Sequence, residues 1–122
     1  MPAYNFKKEF ADKVESGQKK QTIRMKRKRQ TVCGDKLYLY TGMRTKNCRL
    51  LHNAICTRVE SFVLWTDVAF SIDGVDFLSN VGTSGHKLAV EDGFKTWEDF
   101  VAFFKKQYGL PFYGEIISWE II

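Results

Sequence analysis

Asp73-Gly74 stands between two short runs of alternating apolar residues, Val68, Phe70 and Ile72 before it and Val75 and Phe77 after it. The tightest hairpin turns need positive φ at their centre, which Gly adopts freely and Asp tolerates, so this dipeptide predicts a β-hairpin. A hairpin cannot stand alone in water. Its apolar face has to be covered by further strands or by helices from the rest of the chain.

The chain supplies both. Ala3 to Phe6 reads as a short opening strand, and Phe6, Phe10 and Val14 then recur every four residues, the stripe of a short amphipathic helix stopped by Gly17. Ile23 and Met25 alternate with Thr22 and Arg24, and Lys36 to Tyr40 alternates again after the Gly34-Asp35 turn, so both segments are expected as strands. Arg49 to Leu64 is β-rich, either one long bent strand or two. Asn80 to Lys87 reads as a loop containing glycine and serine. Thr96 is placed to cap a second helix whose buried stripe is Trp97, Phe100, Val101, Phe104 and Tyr108, with Gly109 and Pro111 ending it. Phe112 to Ile122 then forms a well-covered strand. The sum is an α+β chain, mostly β, and most economically a small β-barrel with two main flanking helices.

Length and composition suit one domain spanning residues 1–122. The chain has ten Phe, five Tyr and three Trp, enough for one packed core without staples. Cys33, Cys48 and Cys56 are odd in number and lack CxxC spacing, so neither a disulfide framework nor a zinc site is expected; each is read as a small buried apolar side chain. A reducing cytoplasm is the expected compartment. The polar, lysine-rich start carries no secretory signature, and no apolar run reaches the length of a membrane span. GxGxxG, Walker, HExxH and GxSxG patterns are absent, and His52 and His86 lie far apart in sequence. No metal and no cofactor is expected.

The formal charge of +5 is unevenly spread: residues 1–60 hold 15 Lys/Arg against 5 Asp/Glu, whereas residues 61–122 hold 4 against 9. Segregation of this kind points to a basic surface meeting an anionic partner, phosphate above all. Lys26, Arg27, Lys28 and Arg29 form an uninterrupted cationic run, and Arg44 and Lys46 lie in a second basic loop after Thr41-Gly42. Loops of this type commonly contact nucleic-acid backbones. A solvated basic face, kept for solubility or for an acidic protein partner, has the same composition.

The stretch from Gly17 to Lys46 holds the most specific pattern. Gly17-x-Lys19-x-x-Thr22-Ile23-Arg24, then Gly34-Asp35-x-Leu37 and Tyr40-Thr41-Gly42, resembles the ASCH family. The resemblance continues through Asp92-Gly93-Phe94, the aromatic-rich second helix and the terminal Gly114-x-x-x-x-Trp119, so it covers nearly the whole chain in order. It implies a PUA-like β-barrel with helices flanking a cleft that takes RNA or a modified nucleoside. Lys20, Arg24, Tyr40, Thr41 and Arg44 are then expected around the ligand, with Lys26 to Arg29 and Lys46 on the nucleic-acid backbone. Some small bacterial members hydrolyse N(4)-acetylcytidine to cytidine and acetate with a lysine, a threonine and an acid. The first two fall on Lys19 and Thr22. The acid falls on or beside Asp92, where the hydrolase pattern has glutamate, with Glu91 as its neighbour. Aspartate is one methylene shorter, and a misplacement of about 1 Å can cost about 10²-fold in rate.

Those residue types suit amide hydrolysis. A threonine hydroxyl is inert without a base, and a lysine serves as one only when burial or neighbouring cations such as Lys20 and Arg24 depress its pKa. A carboxylate can then carry the proton to the leaving amine. Residues three apart in a regular strand face opposite ways, however, so Lys19 and Thr22 share a cleft only if regularity breaks near Lys20-Gln21. Three readings follow: an RNA- or nucleoside-binding module, an amidohydrolase, and a protein-interaction domain with a basic face.

Overall fold

The alternating segments pair into one seven-stranded sheet in the computed structural model, which describes residues 2–122. Its elements in chain order are β1 (Ala3–Phe6), α1 (Lys8–Glu15), β2 (Gln21–Arg24), β3 (Lys36–Thr41), β4 (Arg49–Leu64), β5 (Ala69–Ile72), β6 (Val75–Leu78), α2 (Ser84–Glu91), α3 (Trp97–Gln107) and β7 (Phe112–Ile121). The architecture is α+β and mostly β.

The 16-residue β4 is the axis of the sheet. One of its edges carries β3 along Arg49–Ile55 and β5 along Phe62–Leu64, while the other carries β7 from Ala54 to Leu64. A register shift between Cys56 and Arg58 lets one long strand bend, which resolves the choice between one strand and two. The Asp73-Gly74 turn forms as its sequence demands, with φ of 50° and 81°, and it pairs Ile72 with Val75. β1 runs parallel to β3, and β2 runs antiparallel to β7.

No ladder joins β1 to β2 among the described residues, so backbone pairing does not close the sheet into the small barrel expected from sequence. Side chains cross the opening instead. Arg24 Nη2 donates to the Asn5 carbonyl at 2.7 Å and Arg27 Nη2 donates to the Ala3 carbonyl at 2.5 Å.

Two apolar clusters lie on opposite faces of β7. Ile116 packs with Phe62, Phe70, Phe100 and Phe104 beneath α2 and α3. Ile117 packs with Tyr4, Leu37, Leu39 and Trp119 beneath α1. Burial on both faces explains why β7 reads as an almost continuous apolar run.

α3 begins where its cap predicts, with Thr96 Oγ1 accepting from Asp99 N–H at 3.1 Å. Trp97 is core, and its indole N–H donates to the Asp67 carbonyl at 2.7 Å. Tyr108 departs from the expected stripe: it lies beyond the helix and is half-exposed. The predicted loop over residues 80–87 is corrected as well, since α2 begins at Ser84 and makes a third helix. Its sequence, Ser-Gly-His-Lys-Leu-Ala-Val-Glu, has too short an apolar stripe to stand out. Packing decides instead, because a Cβ at Gly85 would lie 2.7 Å from Ser79 Cβ and 3.2 Å from the Trp97 ring. The expectation for the cysteines holds for Cys56 alone. Cys33 and Cys48 are exposed, both lying in connections between strands.

Candidate functional site

The gap between β1 and β2 opens into a cleft of about 220 Å³ that holds Lys19, Thr22, Arg24 and Asp92 together with aromatic walls. Regularity breaks where this convergence requires it. Lys19 and Lys20 precede β2, which starts only at Gln21, and Lys19 N–H donates to the Lys13 carbonyl at the end of α1. Lys19 therefore leaves the helix end pointing into the cleft, and Thr22 reaches the same space from inside the strand.

At the base of the cleft Lys19 meets Asp92, with 3% and 4% of each residue exposed. Lys19 Nζ donates to Asp92 Oδ1 at 3.1 Å and to the Asp92 carbonyl at 2.5 Å. Asp92 ends α2, and Gly93 follows it at φ +96°, a conformation glycine adopts without strain. A Cβ at Gly93 would stand 3.0 Å from the Phe10 ring and 3.3 Å from Lys19 Cδ, so the glycine also makes room for the lysine stem. Lys13 Nζ donates to the Gly93 carbonyl at 2.7 Å. Two ammonium groups thus satisfy carbonyls at the C-terminal end of α2, where the helix dipole favours positive charge.

Burial moves the pair toward its neutral forms. Desolvation lowers the Lys19 pKa against the opposing pull of Asp92, and desolvation raises the Asp92 pKa against Lys19 and Gln21. Arg24 is also lowered by burial, yet a guanidinium remains protonated at any ordinary pH. Its Nε–H donates to Thr22 Oγ1 at 2.9 Å, which fixes the hydroxyl and favours negative charge on that oxygen. The site thus contains an amine able to lose its proton, a carboxyl able to keep one, and a hydroxyl under a cation. Among the described residues no group of three or more His, Cys, Asp or Glu is arranged to hold a metal ion, and no helix is long and apolar enough to cross a membrane.

The other sequence candidates are distributed unevenly. Glu91 is exposed on the opposite side of α2's end, so Asp92 is the acid that reaches Lys19. Lys20 faces away from the cleft and lines a separate cavity with Gln21 and Arg58. Thr41 lines an adjoining cavity of about 570 Å³ and donates its hydroxyl to the Phe6 carbonyl at 2.8 Å. Tyr40 and Arg44 line neither space, and Arg44 occupies a turn at φ 65°. Lys26, Lys28, Arg29 and Lys46 are exposed. Arg27 lies over the Tyr4 ring at 3.9 Å and neighbours Arg24 at the cleft rim.

Sequence reasoning missed Asn5, Phe10, Phe94, Phe103 and Tyr108, all of which wall the cleft. Phe10 stood out as the middle residue of the first helical stripe, Tyr108 as the last of the second and Phe94 within the Asp92-Gly93-Phe94 motif, but none of these signals pointed to a cleft. Phe94 and Phe103 both pack edge-on against Phe10, with centroids 5.2 Å and 6.2 Å away. No family model matches the chain, and comparison with curated proteins and with solved structures finds no match.

Proposed function

We propose that the chain is an ASCH-type module whose curled sheet is a PUA-like barrel, and that its cleft takes one nucleoside unit of an RNA strand. The observation that carries this reading is a line of cations and backbone groups along β1 that runs through the cleft. Arg27 is anchored at Ala3, Arg24 at Asn5, and the adjoining cavity beside Thr41 shares Asn5, Phe6 and Lys7 with the cleft. An aromatic-walled pocket suits a base, and flanking guanidinium and ammonium groups suit the phosphates on either side. A free nucleoside has no phosphate to use that line, so the polymer is favoured.

Titration of single-stranded RNA at increasing salt tests the reading. Neutralising phosphates releases counterions, so affinity should fall with a slope of about −0.7 per phosphate contacted in log–log form. An affinity indifferent to salt removes RNA as the ligand, and retention of an acidic protein without RNA favours the protein-interaction alternative.

One observation favours a second reading, hydrolysis of N(4)-acetylcytidine: Lys19, Thr22 and Asp92, each buried, meet in one cleft. In that reaction neutral Lys19 takes the Thr22 proton and Thr22 Oγ1 attacks the acetyl carbonyl. Asp92 passes a proton to the departing amine of cytidine, and water then releases acetate from the threonine ester. Turnover lost in both Lys19→Ala and Thr22→Val, with circular dichroism showing each variant folded, assigns the chemistry, whereas turnover that survives Thr22→Val removes threonine as nucleophile. Absence of turnover in the unmodified protein leaves the binding module.

A further inference from the structure

Sharing no lining residue with the cleft, the edge hairpin β5–β6 builds a second concave surface together with the segment that leads into α2. Cross-strand partners share a face, so Ser71 with Asp76, and Ala69 with Leu78, line one side of the hairpin. Phe70 and Phe77, stacked with centroids 5.2 Å apart, alternate with these residues along the two strands, and Phe70 also packs against Trp97. Trp65 follows the end of β4 and is drawn to the side of Ser71 by its own hydrogen bond. Its indole N–H donates to Ser71 Oγ at 2.8 Å, and the Ser71 hydroxyl donates to Asp76 Oδ1 at 2.5 Å. This relay locks an indole ring beside a carboxylate.

A cavity of about 730 Å³ lies here at the edge of the sheet, walled by Phe70 and Phe77 as well as by Trp65, Asp76, Leu78 and Val81. Its apolar walls are open to water, with Trp65 43% and Leu78 49% exposed. Asp76 is the one charged residue among its lining residues, in a chain of net charge +5. No Lys or Arg among the described residues lies within ion-pair distance of Asp76, although Glu15, Glu60 and Asp67 each have a cationic partner. Its Oδ2 accepts no hydrogen bond from the described residues.

We propose that this cavity binds an organic ammonium cation, seated against the Trp65 ring with its charge toward Asp76. An anion is repelled by the carboxylate. A neutral apolar ligand covers Asp76 without satisfying it, which is unfavourable. A compact ion such as a bare metal leaves the apolar walls wet. A quaternary or alkylated ammonium meets all three features at once, because its methyl groups suit Leu78 and Val81 while its charge suits both the indole face and the carboxylate. This site is independent of the nucleoside reading and stands or falls without it.

Choline and its neutral isostere 3,3-dimethylbutan-1-ol, titrated separately into the whole protein, test the proposal. The readout is the Trp65 indole N–H signal in a nitrogen–proton correlation spectrum. Choline is expected to shift that signal saturably, the isostere to leave it in place, and Asp76→Asn to weaken choline about tenfold, which is the loss of one moderate electrostatic contact. Asp76 is exposed, so the variant is expected to keep its fold, and an unchanged spectrum away from the hairpin verifies this. Equal binding of the isostere overturns the proposal in favour of a purely apolar pocket. Unchanged choline affinity in Asp76→Asn, or no shift of Trp65 up to about 50 mM choline, overturns it outright.

Discussion

Lys19 and Asp92 are ionisable groups paired inside the molecule, while Lys26 to Arg29 carry their charges in water a few residues further along. The buried pair has fixed partners: each member satisfies the other, and Gly93, Phe10 and the end of α2 are arranged around them. In the exposed run only Arg27 has a defined seat, on the Tyr4 ring and the Ala3 carbonyl. A charge taken out of water loses solvation worth several kcal/mol and depends on its partner, whereas an exposed charge loses little and depends on no one. The first arrangement holds a small ligand at one place. The second attracts a polyanion from a distance without fixing it.

The sharpest way to break this contrast is to split the pair. Asp92→Asn and Lys19→Met each strand the other group in the interior, and each is expected to destabilise the fold by about 3–5 kcal/mol in urea unfolding. The double variant Lys19→Met/Asp92→Leu removes both charges and is expected to cost clearly less than the two single losses added together. The pH dependence carries the same signature with opposite signs. In Asp92→Asn the lysine pKa, already lowered by burial, loses the carboxylate that held it up. Between its folded and unfolded values the unfolded chain binds more protons, so stability rises as pH rises through that window. In Lys19→Met the aspartate pKa, raised by burial, loses the ammonium that held it down. The folded chain then binds more protons, and stability falls as pH rises from the unfolded carboxylate value through the folded one. Parallel slopes in the two variants, or additive losses, would mean that the groups are not coupled as the geometry states.

A smaller effect tests how the pair is placed. Asp92 ends α2, and α2 sits where it does because Gly85 lies against Ser79 and Trp97. Helix propensity alone predicts that Gly85→Ala stabilises the helix by about 1 kcal/mol. The contacts predict the reverse, because a Cβ 2.7 Å from Ser79 Cβ forces a shift in a packed layer, an overpacking cost of about 1–3 kcal/mol. Thermal unfolding decides the sign. A stabilised variant would show that α2 has room to move and that Asp92 is held by Lys19 rather than by its own helix.

Gly85 also marks the limit of what the sequence discloses. Wherever one local rule governs, the chain is readable: the Asp73-Gly74 turn, the Thr96 cap and the doubly covered β7 all follow from period and turn chemistry. The cleft is half readable. Lys19, Thr22 and Asp92, grouped by the family resemblance against the alternation of a regular strand, do converge, and the break before Gln21 that this requires is present. Lys20, Tyr40 and Arg44 sit elsewhere, because proximity in sequence does not decide which side of a strand or loop a residue faces. The aromatic wall of Phe94, Phe103 and Tyr108 arises from the meeting of α1, α3 and the Gly93 turn, a tertiary event that no local pattern assigns to a cleft. α2 fails for the same reason: its helical state rests on what covers it rather than on its own propensity.

The gentlest perturbation addresses the exposed half of the comparison. Replacing Lys26, Lys28 and Arg29 together by serine, and sparing Arg27 because it has structural partners, is expected to change unfolding stability by no more than about 0.5 kcal/mol per site. The consequence should appear in RNA binding alone, as a salt slope shallower by about 0.7 for each phosphate contact removed, with preference among bases unchanged. If stability drops instead, these cations are part of the fold and the division between buried and exposed charge collapses. If neither stability nor salt slope changes, Lys26, Lys28 and Arg29 contact no phosphate, and the strand of RNA runs along β1 between Arg27 and Lys7 without reaching those three.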